Sequence, residues 1–262
     1  MSPKIILTDE VLGSLTDDQL TRDVWLYQRA KGHRFSSDDL LTAFVACAAA
    51  PDARRVLDLG CGIGSVLLHL AWSLPKAELF GVEAQAVSFT LLQRNIARNA
   101  LSPRVRAVCG DLRDDAALAP LGAHFDLITG TPPYFPAGSA LEARDEQREY
   151  ARIEHRGGVE AYLAAGAPRL AASAALVLCG DARSELRVTR GAEAVGLSLR
   201  ARLEVVARAG QPPLFSVWTL RAERGDFQQS QFTLRDAHGG RTTDAERLRL
   251  FSRLEATRGL AD

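Results

Sequence analysis

The 262-residue sequence has few cysteines and no long apolar run. Its four cysteines, Cys47, Cys61, Cys109 and Cys179, show no spacing typical of a disulfide framework or a metal site. No segment approaches the roughly 18 apolar residues of a membrane span, and the first ten residues, MSPKIILTDE, reach an acid before any apolar stretch attains signal-peptide length. The sequence therefore predicts reduced thiols, no membrane partner and a cytoplasmic location.

The sequence also lacks the clustered ligands of a metal site. Zinc and related ions need histidine, cysteine or acid side chains at short, regular spacing. The five histidines are scattered along the chain, at His33, His69, His124, His155 and His238. No bound metal is predicted.

A basic excess is missing as well. Lysine plus arginine equals aspartate plus glutamate at 32 each, whereas domains that bind nucleic acid usually carry a basic excess or a basic face. Only three of these cations are lysines, and arginine is the better ligand for phosphate and the better stacking cation. A nucleic-acid partner therefore requires a local arginine patch rather than a global positive charge.

The most informative segment is VLDLGCGIG, residues 56–64. An apolar run ends in Gly60, Gly62 and Gly64, and an apolar helical segment follows, so the pattern predicts a buried strand, a tight turn and a helix. Glycine permits positive φ and lets a ligand approach bare main chain. The spacing differs from the dinucleotide fingerprint, because the third glycine comes too early and Asp58 stands inside the strand end.

Three later apolar stretches end in comparable polar or glycine clusters. The stretch at 77–82 ends in Glu83, the one at 105–108 is followed by Asp111 and Leu112, and the one at 125–129 runs into residues 130–134, GTPPY. In an open parallel α/β sheet, ligands bind at the carboxyl ends of the strands. The ordered set predicts a nucleotide-like ligand there, with Glu83 accepting the hydroxyls of a ribose.

These motifs resemble those of class I S-adenosylmethionine-dependent methyltransferases, and PPY is typical of the branch that methylates planar amino nitrogens. Residues 28–38, QRAKGHRFSSD, and 147–154, QREYARIE, are similar to the bacterial enzymes that methylate the exocyclic amino group of the adenine beside the anticodon of valine tRNA. The resemblance covers residues 15–222. It implies S-adenosylmethionine as the cofactor and tRNA, or another structured RNA, as the partner.

The resemblance also implies which residues form the site. The cofactor-binding residues are Asp58, Gly60, Cys61, Gly62 and Gly64 at the methionine end, Glu83 and Ala84 at the ribose, and Asp111 and Leu112 at the adenine. The catalytic residues are Thr131, Pro132, Pro133 and Tyr134, with Tyr134 expected to stack on a flipped-out base. Further expected substrate contacts are Arg34, Phe135, Arg152 and Glu154.

Thr131 departs from the family pattern, which has Asn or Asp before the two prolines. That residue accepts a hydrogen bond from the target amino group while a neighbouring carbonyl, that of Pro132, accepts the other. A threonine hydroxyl also accepts, but it is shorter and must direct its own proton elsewhere. Loss of one such hydrogen bond costs about 1 kcal/mol, which predicts a slowed enzyme or a changed substrate.

The predicted fold class is α/β: a Rossmann-like, seven-stranded, mostly parallel sheet with an antiparallel edge strand and helices on both faces. Residues 1–35 are an N-terminal extension with a short β element at 20–27, residues 36–222 the methyltransferase domain, and residues 223–262 a C-terminal extension packed on it. Other expected elements are a helix at 159–172, a polar lid at 137–149, and a final helix capped by Thr243 and Glu246 with Leu250, Phe251 and Leu254 on one face.

The favoured function is methylation of the exocyclic amino group of adenine in RNA. A methyltransferase for a protein glutamine or a small-molecule amine stays open, because the planar nitrogen poses the same chemical problem. A protein that binds the cofactor with weak or lost turnover also stays open, on the ground of Thr131. A nicotinamide oxidoreductase is disfavoured by the glycine spacing and by PPY.

Overall fold

The computed structural model describes residues 7–139 and 145–254, and its strands form a hairpin and an eight-stranded sheet. The hairpin consists of β1 (Leu15–Gln19) and β2 (Trp25–Arg29). The sheet contains β3 (Arg55–Leu59), β4 (Glu78–Glu83), β5 (Val105–Cys109), β6 (Phe125–Gly130), β7 (Leu170–Gly180), β8 (Ser198–Arg208), β9 (Phe215–Arg221) and β10 (Gln228–Arg235).

Helices connect the strands and cover the sheet. In chain order they are α1 (Asp9–Leu12), α2 (Ser37–Ala49), α3 (Ser65–Ser73), α4 (Ala86–Arg98), α5 (Asp115–Leu118), α6 (Glu146–Arg152), α7 (Val159–Gly166), α8 (Glu185–Ala194) and α9 (Thr243–Ser252).

The strand order is β10-β8-β9-β7-β6-β3-β4-β5, and within it only β9 runs antiparallel to its neighbours. The predicted α/β class is confirmed, with two corrections. The sheet has eight strands instead of seven, because Gln228–Arg235 adds a parallel strand beside β8. The antiparallel strand is internal, since β8 and β10 lie beyond it.

Alternating strand residues form two apolar cores, one on each face of the sheet. Val56, Leu79 and Leu127 point to the face covered by α2, α3 and α4, whereas Leu57 and Ile128 point to the face covered by α7 and α8. A strand that is buried on both faces has a continuous apolar sequence. Such a run predicts the strand, but it does not show which face each residue occupies.

The N-terminal hairpin is fixed on α4 by a buried asparagine. The Asn95 side chain accepts a hydrogen bond from the Tyr27 backbone N–H at 2.7 Å and donates to the carbonyls of Tyr27 and Ile63 at 3.1 and 2.9 Å. One side chain therefore joins the hairpin to the glycine turn after β3. The short strand expected at 20–27 was wrong in its limits, because residues 20–24 form the turn between β1 and β2.

Other boundaries also differ from the expectations. The helix expected at 159–172 ends at Gly166, because β7 begins at Leu170. The last helix is capped one residue earlier than expected, where the Thr242 hydroxyl accepts from the Ala245 N–H at 3.1 Å. On that helix Leu248 is buried, while Leu250 is 60% exposed. Part of the expected lid, residues 140–144, lies outside the described residues.

The four cysteines are free thiols, as the spacing predicted. Within residues 7–139 and 145–254, no helix is long and apolar enough to cross a lipid bilayer.

Candidate active site at the carboxyl ends of β3 to β6

The carboxyl ends of β3, β4, β5 and β6 border a cleft of about 900 Å³ that is open to solvent. Residues that follow each of these strands line it, including Gly60, Glu83, Asp111 and Thr131. The parallel sheet thus brings together these four residues, which span 71 positions of the sequence from Gly60 to Thr131.

The turn after β3 is built from glycines with positive φ. Gly60, Gly62 and Gly64 have φ of 59°, 55° and 95°. A Cβ on Gly60 would collide with the Tyr162 hydroxyl, whereas a Cβ on Gly62 would meet no atom within 4 Å. Gly60 is required for close packing, while at Gly62 bare main chain borders open space, which suits the approach of a ligand.

Glu83, at the end of β4, is held by the backbone of two loops. Its carboxylate oxygens accept hydrogen bonds from the N–H of Gly62 at 2.9 Å and of Gln85 at 2.6 Å. Burial raises its pKa, and these two N–H groups oppose that rise. A carboxylate oxygen can accept two hydrogen bonds, and each oxygen of Glu83 accepts one here, so Glu83 retains acceptor capacity toward the cleft.

Asp58 has an unsatisfied oxygen at the floor of the cleft. Its Oδ1 accepts from the Thr129 hydroxyl at 2.7 Å, while the buried Oδ2 has no partner among the described residues. Burial raises the pKa of Asp58 to about 7, and the negative charge of Glu83 adds to the rise. A buried acceptor without a partner is costly, and a cationic ligand group would satisfy it.

A second buried acid, Asp39, also lines the cleft and was missed by the sequence analysis. It stands in the first turn of α2, where its Oδ2 accepts from the Ser36 N–H at 3.0 Å. Burial, followed by the charge of Asp38, raises its pKa to about 8. The sequence indicates only that Ser36 and Asp39 have the spacing of a helix cap. That spacing accounts for an acid at this position and gives no reason to place it beside Asp58.

Asp111 and Leu112 follow β5 and line the same cleft. The Asp111 carboxylate is paired with Arg113, with Nε at 3.0 Å and Nη2 at 2.7 Å. Hydrogen bonds from Arg113 lower the pKa of Asp111, which keeps it ionised. Leu112 is buried and supplies an apolar wall.

The TPPY segment after β6 divides between the cleft and the core. Thr131 and Pro133 line the cleft, whereas Pro132 is buried. Within the described part of the chain, neither the Thr131 hydroxyl nor the Pro132 carbonyl has a hydrogen-bond partner. The Thr131 hydroxyl at the cleft wall and the carbonyl of the adjacent, buried Pro132 are therefore both free acceptors.

Tyr134 faces inward through its hydroxyl, which lies 2.9 Å from Asp38 Oδ2 and 2.9 Å from Cys179 Sγ. Its ring packs against the core between the sheet and α2. Burial, followed by the nearby Cys179 and Asp38, raises the pKa of Tyr134 well above its usual value, so the phenol stays protonated. The predicted stacking role of its ring stays a prediction.

Replacing Tyr134 with Phe is expected to lower the free energy of unfolding by about 1 to 3 kcal/mol, because the hydrogen bonds of the hydroxyl with Asp38 and Cys179 are lost and the ring is kept. The catalytic activity should fall less than about threefold, since the hydroxyl points away from the cleft. Urea unfolding and steady-state kinetics measure both effects. A large loss of kcat with unchanged stability would show that the hydroxyl acts in the reaction.

The four expected substrate contacts occupy different environments. Arg34 is tied to Asp18 at 3.0 Å, and its neighbours His33 and Phe35 line the cleft instead. Glu154 forms a bidentate ion pair with Arg187, at 2.8 and 2.9 Å.

Phe135 forms backbone hydrogen bonds with the segment after α6, from its N–H to the Arg152 carbonyl and from the Glu154 N–H to its own carbonyl. The Arg152 guanidinium lies 5.6 Å from the Phe135 ring centroid. The structure therefore joins the PPY loop to α6 through main chain as well as through this contact.

Several residues that line the cleft had not been singled out: Tyr150, Arg156, Tyr162 and Gln85. Arg156 lies over the Tyr150 ring at 4.2 Å. Both residues fall in or just beyond the QREYARIE stretch, which was the only sequence signal for them. Within the described ranges, no group of histidine, cysteine and acid side chains is arranged to hold a metal ion.

Residues 35–147 match the family model described as "Methyltransferase small domain". A predicted O-methyltransferase, Atu636 of Agrobacterium tumefaciens, has a similar fold, with a TM-score of 0.62, 18% identity, and coverage of 86% of this chain and 100% of that one. The structure of TYW2 from Pyrococcus horikoshii, solved in complex with MeSAdo, matches with a TM-score of 0.54 and 18% identity. The match covers 80% of this chain and 72% of that one. The fold and the family model, which covers residues 35–147, are similar to those of class I methyltransferases, a class whose methyl donor is S-adenosylmethionine.

Within that class, the chain is similar to curated enzymes named tRNA1(Val) (adenine(37)-N6)-methyltransferase. The relatives from Yersinia pestis and Yersinia pseudotuberculosis are each 28% identical over 188 residues, which is 71% of this chain and 74% of theirs.

Proposed function

We propose that this protein transfers a methyl group from S-adenosylmethionine to the exocyclic amino nitrogen of an adenine in RNA, specifically in tRNA. The observation that carries the proposal is the pair of free acceptors, Thr131 hydroxyl and Pro132 carbonyl, beside a cleft lined by buried acids and exposed glycine main chain. The names of the curated relatives support tRNA as the substrate.

The residues of the cleft fit the cofactor in three places. The unsatisfied Asp58 Oδ2, with Asp39 beside it, would hold the ammonium of the methionine end. Glu83 would accept the ribose hydroxyls, with Ala84 next to it. Asp111 and Leu112 would hold the adenine, by a hydrogen bond and by apolar contact.

The glycine turn forms the wall next to the methionine end. Gly60, Cys61 and Gly62 line the cleft, and Gly64 begins α3 behind them. When bound, S-adenosylmethionine supplies a methyl group already activated by its sulfonium, so the protein has to contribute positioning, exclusion of water and electrostatics.

Thr131 and Pro132 would orient the target. If both acceptors take the two hydrogens of the amino group, the nitrogen lone pair is drawn out of conjugation with the ring and is aimed at the methyl group. Pro133 borders the cleft, and Tyr134, anchored on Asp38 and Cys179, would present a fixed ring for stacking, worth roughly 1 to 3 kcal/mol per base.

We further propose residues 36–222 as the methyltransferase domain, with residues 1–35 and 223–262 as extensions packed on it. The hydrogen bonds of Asn95 to the hairpin and the pairing of β10 with β8 support this division. The free thiols and the RNA substrate support a cytoplasmic location.

The direct test uses two transcripts of valine tRNA that differ only in having adenine or guanine at position 37, the position in the relatives' names. With methyl-labelled S-adenosylmethionine, label is expected in the adenine transcript alone, and it should be recovered as N6-methyladenosine. Equal label in both transcripts would contradict the proposed position. Label in neither, with label in protein or in a small amine, would favour the alternative that Thr131 keeps open.

A further inference from the structure

About half of the arginines in the described residues, 13 of 27, form ion pairs with acids of the same chain. Ion pairs join Arg94 to Asp9, Arg98 to Asp17, Arg169 to Asp115 and Arg202 to Glu185 and Glu204. The formal net charge is zero, and the cations without an ion-pair partner are spread over the described surface, so what matters for a polyanion is which of them lie beside the cleft.

Three such cations lie together at one side of the cleft mouth. Lys31, Arg148 and Arg152 are exposed, and none of them has an ion-pair partner among the described residues. We name these three residues the basic rim. Arg152 was already an expected substrate contact, whereas Lys31 and Arg148 were not.

The basic rim stands on two adjoining segments. Arg148 and Arg152 are four residues apart on α6, so they share one face of the helix. Lys31 belongs to the loop after β2, and the next residues of that loop touch α6: a Cβ on Gly32 would collide with Gln147 Oε1, which also accepts from the His33 N–H at 3.3 Å.

The rim lies next to the cleft. His33, two residues after Lys31, and Ala151, next to Arg152, line the cleft. Burial lowers the pKa of His33, and although Asp38 opposes this, the positive charges of Arg148 and Arg152 lower it further. Both guanidinium groups therefore act on a residue of the cleft wall.

The α6 helix is held in place. The Gln147 side chain donates to the Ser88 hydroxyl at 3.0 Å, and Arg29 pairs with Asp145 at 2.8 Å at the start of the helix. The rim thus needs little ordering before it binds an anion.

Among the residues that the structure describes, the acids close to the rim do not neutralise it. Asp145 is taken by Arg29, and Glu149 is bonded to His155 at 2.7 Å. Glu146 is two residues before Arg148 and lies on the opposite side of the helix. A positive field at this side of the mouth is therefore available to a ligand.

We propose that Lys31, Arg148 and Arg152 bind the RNA phosphates that flank the target adenine. The inference rests on the proposed function. Phosphate contacts position a nucleic acid without reading its sequence, and a chain with no net charge must place them locally. Three free cations beside the two free acceptors of Thr131 and Pro132 place the backbone and the base of one nucleotide segment at the same mouth.

The test compares two triple variants with the same change of charge. The rim variant is Lys31→Gln/Arg148→Gln/Arg152→Gln, and the control variant is Arg54→Gln/Lys76→Gln/Arg224→Gln. The control residues are exposed, have no ion-pair partner among the described residues, and lie next to β3, β4 and β9 at the opposite edge of the sheet. Binding of purified tRNA and its methylation are measured at several salt concentrations.

In the rim variant, the Kd and KM for tRNA are expected to rise at least about tenfold, and the slope of log Kd against log salt to decrease by about 2. The Kd for S-adenosylmethionine should stay the same. The control variant should change the Kd for tRNA less than about threefold. A variant with Arg148→Lys/Arg152→Lys should keep most of the salt dependence, since it keeps the charge.

Equal salt slopes in the rim and control variants, with RNA methylation intact, would overturn this inference alone. If the wild-type protein methylates no RNA, the proposed function fails. Rim-dependent tRNA binding without methylation would then support the phosphate contacts and leave the reaction to be reassigned.

Discussion

Replacing Asp58 with Asn is expected to raise the Kd for S-adenosylmethionine on the order of 100-fold, because the ammonium of the cofactor loses a buried carboxylate partner. Isothermal titration calorimetry measures this change directly. Asp126→Asn is the matched control: Asp126 accepts from the N–H groups of Arg54 and Arg55 at 2.8 and 2.9 Å, at the opposite end of the sheet. That variant should lose stability and keep its cofactor affinity.

In the protein without cofactor, Asp58→Asn is expected to increase the free energy of unfolding, although it weakens cofactor binding. The pKa of Asp58 is about 7, raised from 3.8, so between these values the native state holds a proton that the unfolded state has lost. Stability therefore falls as the pH rises from about 4 to about 7. Asparagine has no such cost, so Asp58→Asn should be the more stable protein at pH 8, by a few kcal/mol.

The affinity for the cofactor should change with pH in the direction opposite to stability. Asp58 and Asp39, with pKa values of about 7 and 8, must be ionised to bind an ammonium, so the Kd should fall as the pH rises from 6 to 8.5. In Asp58→Asn this dependence should be weaker. A Kd that does not change with pH, or a variant less stable than the wild type at pH 8, would contradict the assignment of the buried acids.

Replacing Thr131 with Asn is expected to raise kcat for adenine methylation in tRNA about fivefold, because the longer amide acceptor restores a hydrogen bond worth about 1 kcal/mol. Thr131→Ala, which removes the acceptor, should lower kcat by a similar factor. Neither change should alter the Kd for S-adenosylmethionine, since the Thr131 hydroxyl has no hydrogen-bond partner among the described residues.

The outcomes for Thr131 separate the alternatives. No gain in Thr131→Asn, together with loss of the native activity, would show a cleft adapted to another planar nitrogen. If neither protein turns over while both bind the cofactor, the chain is a cofactor-binding protein.

The cluster of polar residues at the carboxyl ends of the strands was predictable from the sequence, because a polar or glycine residue marks the end of each apolar run. Glu83 and Asp111 follow apolar runs directly, and parallel pairing then brings them together. The turn glycines followed from the same logic. The positive φ of Gly60, Gly62 and Gly64 agrees with the reason for which glycine was expected there.

The positions of other residues depended on tertiary contacts. Asp39 reaches the cleft only because α2 packs against β6 and β7, and Tyr134 turns inward only because Asp38 and Cys179 meet there. Glu154 was expected near substrate, yet Arg187, 33 positions away, takes both of its oxygens. A single sequence contains no local signal for partners so far apart.

The measurement that tests the central claim most directly is the fate of labelled methyl groups in a complete extract. The purified protein, methyl-labelled S-adenosylmethionine and an extract from a host lacking its gene are incubated together, and label is counted separately in RNA, protein and small molecules. The account predicts label in the RNA, released as N6-methyladenosine on digestion. Label confined to protein or small molecules, or no label despite measurable cofactor binding, would contradict it.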